Sequence, residues 1–128
     1  MKLLLDTHLL IWAAGGVEHI PAGARALMEV PDNSLYFRVA SLWEIAIKQS
    51  LKRADFQVDA RVLRHGLIDN GYYELAISGV HAVAMYMLPP IHKEPFDRLL
   101  IAQASVEGIT LLTDDAVVAK YPGPIRLA

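Results

Sequence analysis

The sequence predicts an α/β fold with a mostly parallel sheet, and three observations support this prediction. Short apolar stretches of strand composition alternate along the chain with stretches of helical periodicity, which is the pattern of βαβ units. The hydrophobic content of 54% and the mean hydropathy of +0.31 are high, as expected when helices cover both faces of a parallel sheet. Acidic residues stand where apolar strands or loops give way to helices. We therefore expect a single domain, residues 1–128, with acids collected at one edge of its sheet.

The first predicted strand covers residues 3–5, a run of three leucines, and a helical stretch continues through residues 9–12. Gly15 and Gly16 are expected to end this helix. Pro21 suits the first position of the next helix, where no backbone N–H is needed.

A turn at residues 31–34 precedes the second predicted strand, residues 35–39, which is rich in aromatic and branched side chains. A helix over residues 42–51 follows, and another over residues 60–69 is stopped by Asn70-Gly71.

The remainder of the chain continues the alternation and closes the sheet. Gly108 is expected just beyond a helix end, because glycine tolerates the left-handed conformation there. The predicted elements are a strand at 73–77, a helix at 80–88 ended by Pro89-Pro90, a helix at 96–107, a strand at 110–113, a short helix at 116–120 and a strand at 125–127.

Composition excludes several classes of function. The chain has no cysteine, so disulfide frameworks and thiolate metal sites are excluded, and a reducing cytoplasm is the expected location. Apart from the N-terminal segment, which Asp6 and His8 interrupt, the longest apolar stretch, residues 76–88, contains His81 and is too short to span a membrane.

The overall charge does not indicate a nucleic-acid binder, because 12 Lys+Arg face 14 Asp+Glu for a net charge of −2. If bound cations neutralised four of the acids, however, the net charge of the other residues would be positive. The positions of local basic clusters then matter more than the net charge of the chain. They are Lys48, Lys52 and Arg53 at one helix end, for which a solvated surface is the favoured interpretation, and Lys93 and Arg98 around Asp97.

Four acids are candidates for a common site: Asp6, Glu44, Asp97 and Asp115. Each also has a structural interpretation, because carboxylates stabilise helix N-termini. The segment from Ser41 to Glu44 has the pattern of a capping box, which by itself favours a cap. Asp6 differs, since it follows a buried strand. The argument for a site is that four such junctions in one parallel sheet can converge, whereas independent caps need not.

Four carboxylates in one place require neutralisation, and oxygen ligands without cysteine favour Mg²⁺ or Mn²⁺ over Zn²⁺. Such ions activate water and stabilise charge on a phosphodiester, so nucleic acid is the expected substrate. Two histidines near these acids, His8 and His92, are of interest. Four large apolar residues in helical stretches are expected to be core packing rather than base-stacking platforms: Trp12, Trp43, Met85 and Met87.

Five segments in this order resemble the PIN-domain ribonucleases, specifically the VapC-like toxins of bacterial toxin–antitoxin pairs. They are LLLDTH at 3–8, ASLWEIAIK at 40–48, LPPIH at 88–92, PFDRLLIAQA at 95–104 and LTDD at 112–115. Because the segments span nearly the whole chain, the resemblance is more specific than any single acidic motif.

The resemblance implies a PIN-like α/β/α sandwich, an Mg²⁺- or Mn²⁺-dependent endoribonuclease acting on RNA, a homodimer, and inhibition by a cognate antitoxin. Carried over by position, the catalytic and metal-binding acids are Asp6, Glu44, Asp97 and Asp115, and Thr113 is the hydroxyl of the Thr-x-Asp pattern. Two features depart from the family. Residues 37–40, which include Arg38, stand where small residues are usual, and Asp114 adjoins Asp115, so the fourth acid could be shifted by one.

Two other functions are compatible with such a sequence. One is a catalytically degenerate module of the same fold that binds RNA or a protein partner, although retention of all four acids argues against it. The other is a phosphatase with Asp6 as nucleophile. His8 occupies the place where that chemistry commonly has a second acid, so this alternative ranks low.

Overall fold

The computed structural model of the protein describes residues 1–51 and 58–128. In that part of the chain five strands form one sheet in which every neighbouring pair is parallel, with the order β3-β2-β1-β4-β5. The strands are β1 Lys2–Leu5, β2 Ser34–Arg38, β3 Tyr73–Leu75, β4 Thr110–Thr113 and β5 Ile125–Leu127.

The central strand β1 is where the strand order changes direction. The chain passes from β1 outward to β2 and β3, and it later returns to the other side of β1 as β4. In open α/β sheets ligands bind beyond the carboxyl ends of the strands at such a switch point. The residues that follow β1 and β4 are therefore well placed to form a site.

Helices cover both faces of the sheet, which confirms the predicted three-layer α/β/α arrangement. Successive side chains of a strand point to opposite faces, so Leu3 and Leu5 pack in one core cluster and Leu4 in the other. The first cluster includes residues of the first four helices and the second includes residues of the last. The helices are α1 Thr7–Gly15, α2 Ala22–Met28, α3 Val39–Ser50, α4 Ala60–Asp69, α5 Gly79–Ala84 and α6 Pro95–Glu107.

Several element boundaries agree with the sequence predictions. The helix at 60–69 and the strands at 110–113 and 125–127 have the expected limits. Gly108 ends α6 in the left-handed conformation with φ of 68°, and Gly71, after α4, also has a positive φ of 83°. These elements carry strong local signals, so distant contacts were not needed to place them.

Other boundaries were wrong by a few residues. Pro21 immediately precedes α2 rather than occupying its first position, and the third strand ends at Leu75. The helix predicted at 80–88 is α5 followed by a separate 3-10 turn at 85–87, and the helix predicted at 116–120 is a 3-10 turn at 118–120. The most consequential difference is α3, which begins at Val39 instead of residue 42.

The core prediction holds for Trp12 but not for Trp43 or Met87. Trp12 packs against the first core cluster, whereas Trp43 is 57% exposed and Met87 lies almost entirely in solvent. Helical spacing alone did not reveal which face of each turn meets the sheet. No helix in the described ranges is long and apolar enough to cross a membrane.

Truncation of Leu4 tests the packing of the central strand. Leu4 is fully buried and belongs to the cluster formed with α6, so Leu4→Ala is expected to lower the free energy of unfolding by ~2–5 kcal/mol through lost burial and a cavity. The matched control Val83→Ala removes a side chain that is 74% exposed and should change stability by less than ~0.5 kcal/mol. Urea denaturation measures both, and equal small effects would contradict the packing described here.

Candidate active site

All four candidate acids line one cavity of about 50 Å³ at the carboxyl edge of the sheet. Asp6 follows β1, Glu44 lies on α3 after β2, Asp97 is in the first turn of α6, and Asp115 follows β4. Thr113 lines the same cavity. The parallel sheet therefore brings together four segments that are far apart in the sequence.

Asp6 is held by neutral donors on both carboxylate oxygens. The backbone N–H of Leu9 donates to Oδ1 at 2.9 Å, and the Thr113 hydroxyl donates to Oδ2 at 2.7 Å. Burial raises the pKa of Asp6 above its usual value; these hydrogen bonds oppose that shift, while nearby Asp114 adds to it. Asp6 thus caps α1 and still presents a buried carboxylate to the cavity.

Glu44 does not form the predicted capping box. Because α3 begins at Val39, Ser41 is already inside the helix and makes no cap. Instead, Glu44 Oε1 accepts a hydrogen bond from the Thr7 hydroxyl at 2.8 Å, and Glu44 Oε2 lies 3.6 Å from Lys48 Nζ. The structural interpretation of Glu44 as a helix cap is therefore wrong, and its carboxylate faces the cavity.

Asp97 does not cap a helix either, because Glu94 is the N-cap residue of α6. The Glu94 carboxylate accepts from the backbone N–H groups of Phe96 and Asp97. Burial raises the pKa of Asp97, with Glu94 and Asp115 adding to the effect.

A histidine and a tyrosine orient Asp97. His92 Nε2 lies 3.1 Å from Asp97 Oδ2, and His92 Nδ1 lies 2.7 Å from the Tyr121 hydroxyl. The Tyr121 hydroxyl also donates to the His92 carbonyl oxygen at 3.2 Å, so Tyr121 holds both the backbone and the ring of His92 beside Asp97. His92, which the sequence placed near Asp97, therefore contacts this candidate acid directly.

Asp115, not its neighbour Asp114, lines the cavity. The N–H of Asp115 donates to the Thr113 hydroxyl oxygen at 3.1 Å, and its Oδ1 accepts from the N–H of Val117 at 2.8 Å. Asp114 lies beside His8, with 3.7 Å between Oδ1 and Nδ1. The Thr113 hydroxyl accepts from Asp115 and donates to Asp6, so it links two of the acids.

A family model of the PIN domain matches residues 3–124, almost the entire chain. The chain belongs to the PIN domain family. Comparison with curated protein sequences gave no significant match.

Solved structures with the same fold include chains from three toxin–antitoxin complexes. A chain of VapBC2 from Rickettsia felis, bound to a promoter DNA fragment, is 15% identical with a TM-score of 0.73, and the match covers 100% of this chain and 99% of that one. A chain of a Klebsiella pneumoniae toxin–antitoxin complex is 19% identical with a TM-score of 0.62, covering 97% and 95%. A chain of VapBC-5 from Mycobacterium tuberculosis is 18% identical with a TM-score of 0.62, covering 98% and 96%.

Arg38 is a cavity residue of this PIN domain that the sequence did not reveal as such. Its side chain is 1% exposed, and Nη1 donates to the carbonyl oxygen of Phe96 at 2.6 Å. Burial lowers the pKa of Arg38 to about 10, and Glu44 and Asp97 oppose the shift. Arg38 is therefore protonated at neutral pH. The only sequence signal was an arginine where the family usually has a small residue.

The other basic residues singled out from the sequence have different positions. Arg98 is directed at the protein itself, donating to the carbonyl oxygens of Pro89 and Met85 and to the Tyr121 hydroxyl, so it fixes the loop before α6 rather than facing solvent. Lys93 is exposed. Lys52 and Arg53 lie outside the described residues.

The donor set of the PIN domain suits a hydrated hard cation rather than a fully caged ion. No group of three or more His, Asp or Glu side chains in residues 1–51 and 58–128 forms a preformed metal cage. Mg²⁺ commonly keeps several waters and takes only one or two carboxylates from the protein. Burial raises the pKa values of Asp6 and Asp97 and so disfavours their charged forms. A divalent ion bound beside them would favour the charged forms.

The burial of Asp97 predicts a pH-dependent stability difference in chelator. A carboxyl whose pKa is raised on folding makes the folded state more stable as pH falls through the folded pKa towards 3.8. Asp97→Asn carries no such charge, so at pH 8 it should melt roughly 2–5 °C above the parent. This difference should shrink as the pH approaches 4.

Thermal melts of metal-free protein across this pH range measure the effect. Asp32→Asn is the matched control, because Asp32 is exposed and lies outside the cavity, and it should follow the parent at every pH. A destabilised Asp97→Asn at pH 8 would show that the hydrogen bond from His92 outweighs the burial of charge.

Proposed function

We propose that this PIN domain is a divalent-metal-dependent endoribonuclease that acts as the toxin of a toxin–antitoxin pair. The observation that carries the proposal is the convergence of Asp6, Glu44, Asp97 and Asp115 on one cavity at the switch point of the sheet. Mg²⁺ or Mn²⁺ is the proposed cofactor, and these four carboxylates, with Thr113 beside them, are the proposed catalytic and metal-binding residues.

A bound Mg²⁺ or Mn²⁺ would activate a water molecule and stabilise charge on the phosphodiester. The chain itself supplies orientation. The hydroxyl of Thr113 fixes Asp6, the hydroxyl of Thr7 fixes Glu44, and the His92 imidazole fixes Asp97. Because the two hydroxyls are uncharged, they hold Asp6 and Glu44 in place without cancelling the negative charge that would attract a cation.

RNA is the proposed substrate and an antitoxin the proposed partner. The resemblance of the sequence to VapC-like ribonucleases supports the substrate, and the toxin–antitoxin complexes with the same fold support the partner. Apolar side chains are also exposed on α5 and the turn after it, where Val80, Val83 and Met87 are mostly in solvent and Tyr86 is 89% exposed. An apolar surface of this kind is suited to contact with a partner or with the second copy of a homodimer.

Asp97→Asn tests the catalytic role with minimal change of shape. Removal of one negative ligand should weaken metal binding and reduce Mn²⁺-dependent cleavage of labelled single-stranded RNA by at least about 100-fold. The measurement compares initial cleavage rates with Mn²⁺ and with excess chelator. Asp32→Asn removes an acid outside the cavity and should cleave like the parent.

Each other outcome of this assay has a definite meaning. Undiminished cleavage by Asp97→Asn would remove Asp97 from the active site. RNA binding by the parent without cleavage under any divalent ion would favour the degenerate binding module. Cleavage that persists in chelator would exclude metal dependence.

The partner is tested through the gene neighbourhood, since an antitoxin is expected beside its toxin. Co-expression of this chain with the adjacent open reading frame should give one complex on size-exclusion chromatography, and RNA cleavage by that complex should be weaker than by the free chain. Separate elution of the two proteins would contradict the pairing. The elution volume of the chain alone, with light scattering, tests the proposed homodimer.

A further inference from the structure

The buried guanidinium of Arg38 lies among the proposed metal ligands. It occupies the end of β2 just before α3, and it lines the same cavity as the four acids. Its Nη2 is 3.9 Å from Glu44 Oε1, which is an ion-pair distance. Arg38 is therefore a permanent cation built into an acidic cavity.

Two buried hydroxyl groups connect this cation to Glu44. Arg38 Nε donates to Ser41 Oγ at 3.1 Å, the Ser41 and Thr7 hydroxyl oxygens are 3.0 Å apart, and Thr7 Oγ1 lies 2.8 Å from Glu44 Oε1. An ionised carboxylate only accepts, so the single Thr7 hydroxyl proton points to Glu44 and Thr7 accepts the Ser41 proton. All donors then run in one direction from the guanidinium to the carboxylate. Such chains polarise cooperatively.

This arrangement places positive charge beside the Glu44 carboxylate without a metal ion. Arg38 lies on one side of the carboxylate and Lys48 on the other, 3.6 Å from Oε2. Asp6 and Asp97 are held instead by the Thr113 hydroxyl, the Leu9 N–H and His92. The ion pairs of Arg38 and Lys48 therefore mark the Glu44 side of the cavity.

The volume of the cavity also disfavours a second metal ion beside Glu44. The cavity of about 50 Å³ has space for only a few water-sized occupants, since one water needs ~10–15 Å³. Two catalytic metal ions stand ~3.5–4 Å apart and need their own waters and substrate oxygens. A second ion beside Glu44 would have to share this small volume with the Arg38 guanidinium, which cannot be deprotonated near neutral pH.

We propose that Arg38 takes the place of a second metal ion, so that the cavity binds one divalent ion among its carboxylates and no second ion beside Glu44. This inference rests on the proposed metal-dependent function and refines it. It also separates Arg38 from Arg98, which binds carbonyl groups of a loop and does not line the cavity. Removal of a purely structural arginine would lower stability but leave the number of bound ions unchanged.

Counting bound Mn²⁺ tests the inference without an RNA substrate. Purified protein is titrated with Mn²⁺ while electron paramagnetic resonance records the free ion and calorimetry records the affinity. The parent should bind one Mn²⁺ per chain. Arg38→Met, which keeps side-chain length but removes the charge, should bind two, whereas Arg38→Lys should remain at one.

Arg64→Met is the matched control, because Arg64 is exposed, pairs with Glu74 and lies outside the cavity. It should bind one Mn²⁺ with the affinity of the parent. Removing one partner of a buried pair can unfold a protein, so the parent also provides a test that needs no variant: two ions per chain, close enough to broaden each other's signal, would overturn the inference.

The results separate this inference from the proposed function. Two ions in the parent, or one ion with unchanged affinity in folded Arg38→Met, would overturn the role of Arg38 while Mn²⁺-dependent RNA cleavage by the parent still stood. No Mn²⁺ binding by the parent would overturn both.

Discussion

Burial of carboxylates at the edge of the sheet is the constraint on which the rest of this structure depends. A parallel sheet brings the carboxyl ends of its strands to one edge, and here four chain segments each deliver an acid to that edge. Burial disfavours the charged form of a carboxyl group. The fold must therefore hold these acids in the cavity against the cost of removing charge from water.

The protein meets this constraint with hydrogen-bond donors and a buried cation. Thr113, Thr7 and His92 each hold one carboxylate, and Arg38 supplies a fixed positive charge beside Glu44. Burial raises the pKa values of Asp6 and Asp97. These buried carboxylates lower the stability of the folded state, and a divalent ion bound beside them would restore it, as is common at active sites.

The fold persists although the similar solved structures share only 15 to 19% of their residues with this chain. Fold and site depend on different sequence features. The fold needs apolar side chains that alternate between the two faces of β1 and its neighbours, and many residues satisfy that requirement. The four acids meet a different requirement, which is to reach the cavity at the carboxyl edge of the sheet.

The sequence by itself determined the α/β class and the order of the elements, because these follow from local periodicity and from signals such as Gly108 at a helix end. It also singled out four acids that the structure brings to one cavity, although Glu44 lies inside α3 rather than at its start. Only the tertiary structure decided what Glu44, Arg38 and Trp43 do. Ser41 and Glu44 have the spacing of a cap, but Arg38 and Thr7, which lie outside that spacing, occupy their polar atoms instead. Burial of Arg38 and exposure of Trp43 likewise depend on which elements pack beside them. Local spacing carries no information about such partners, since competition for a hydroxyl or a carboxylate is settled between segments distant in the chain.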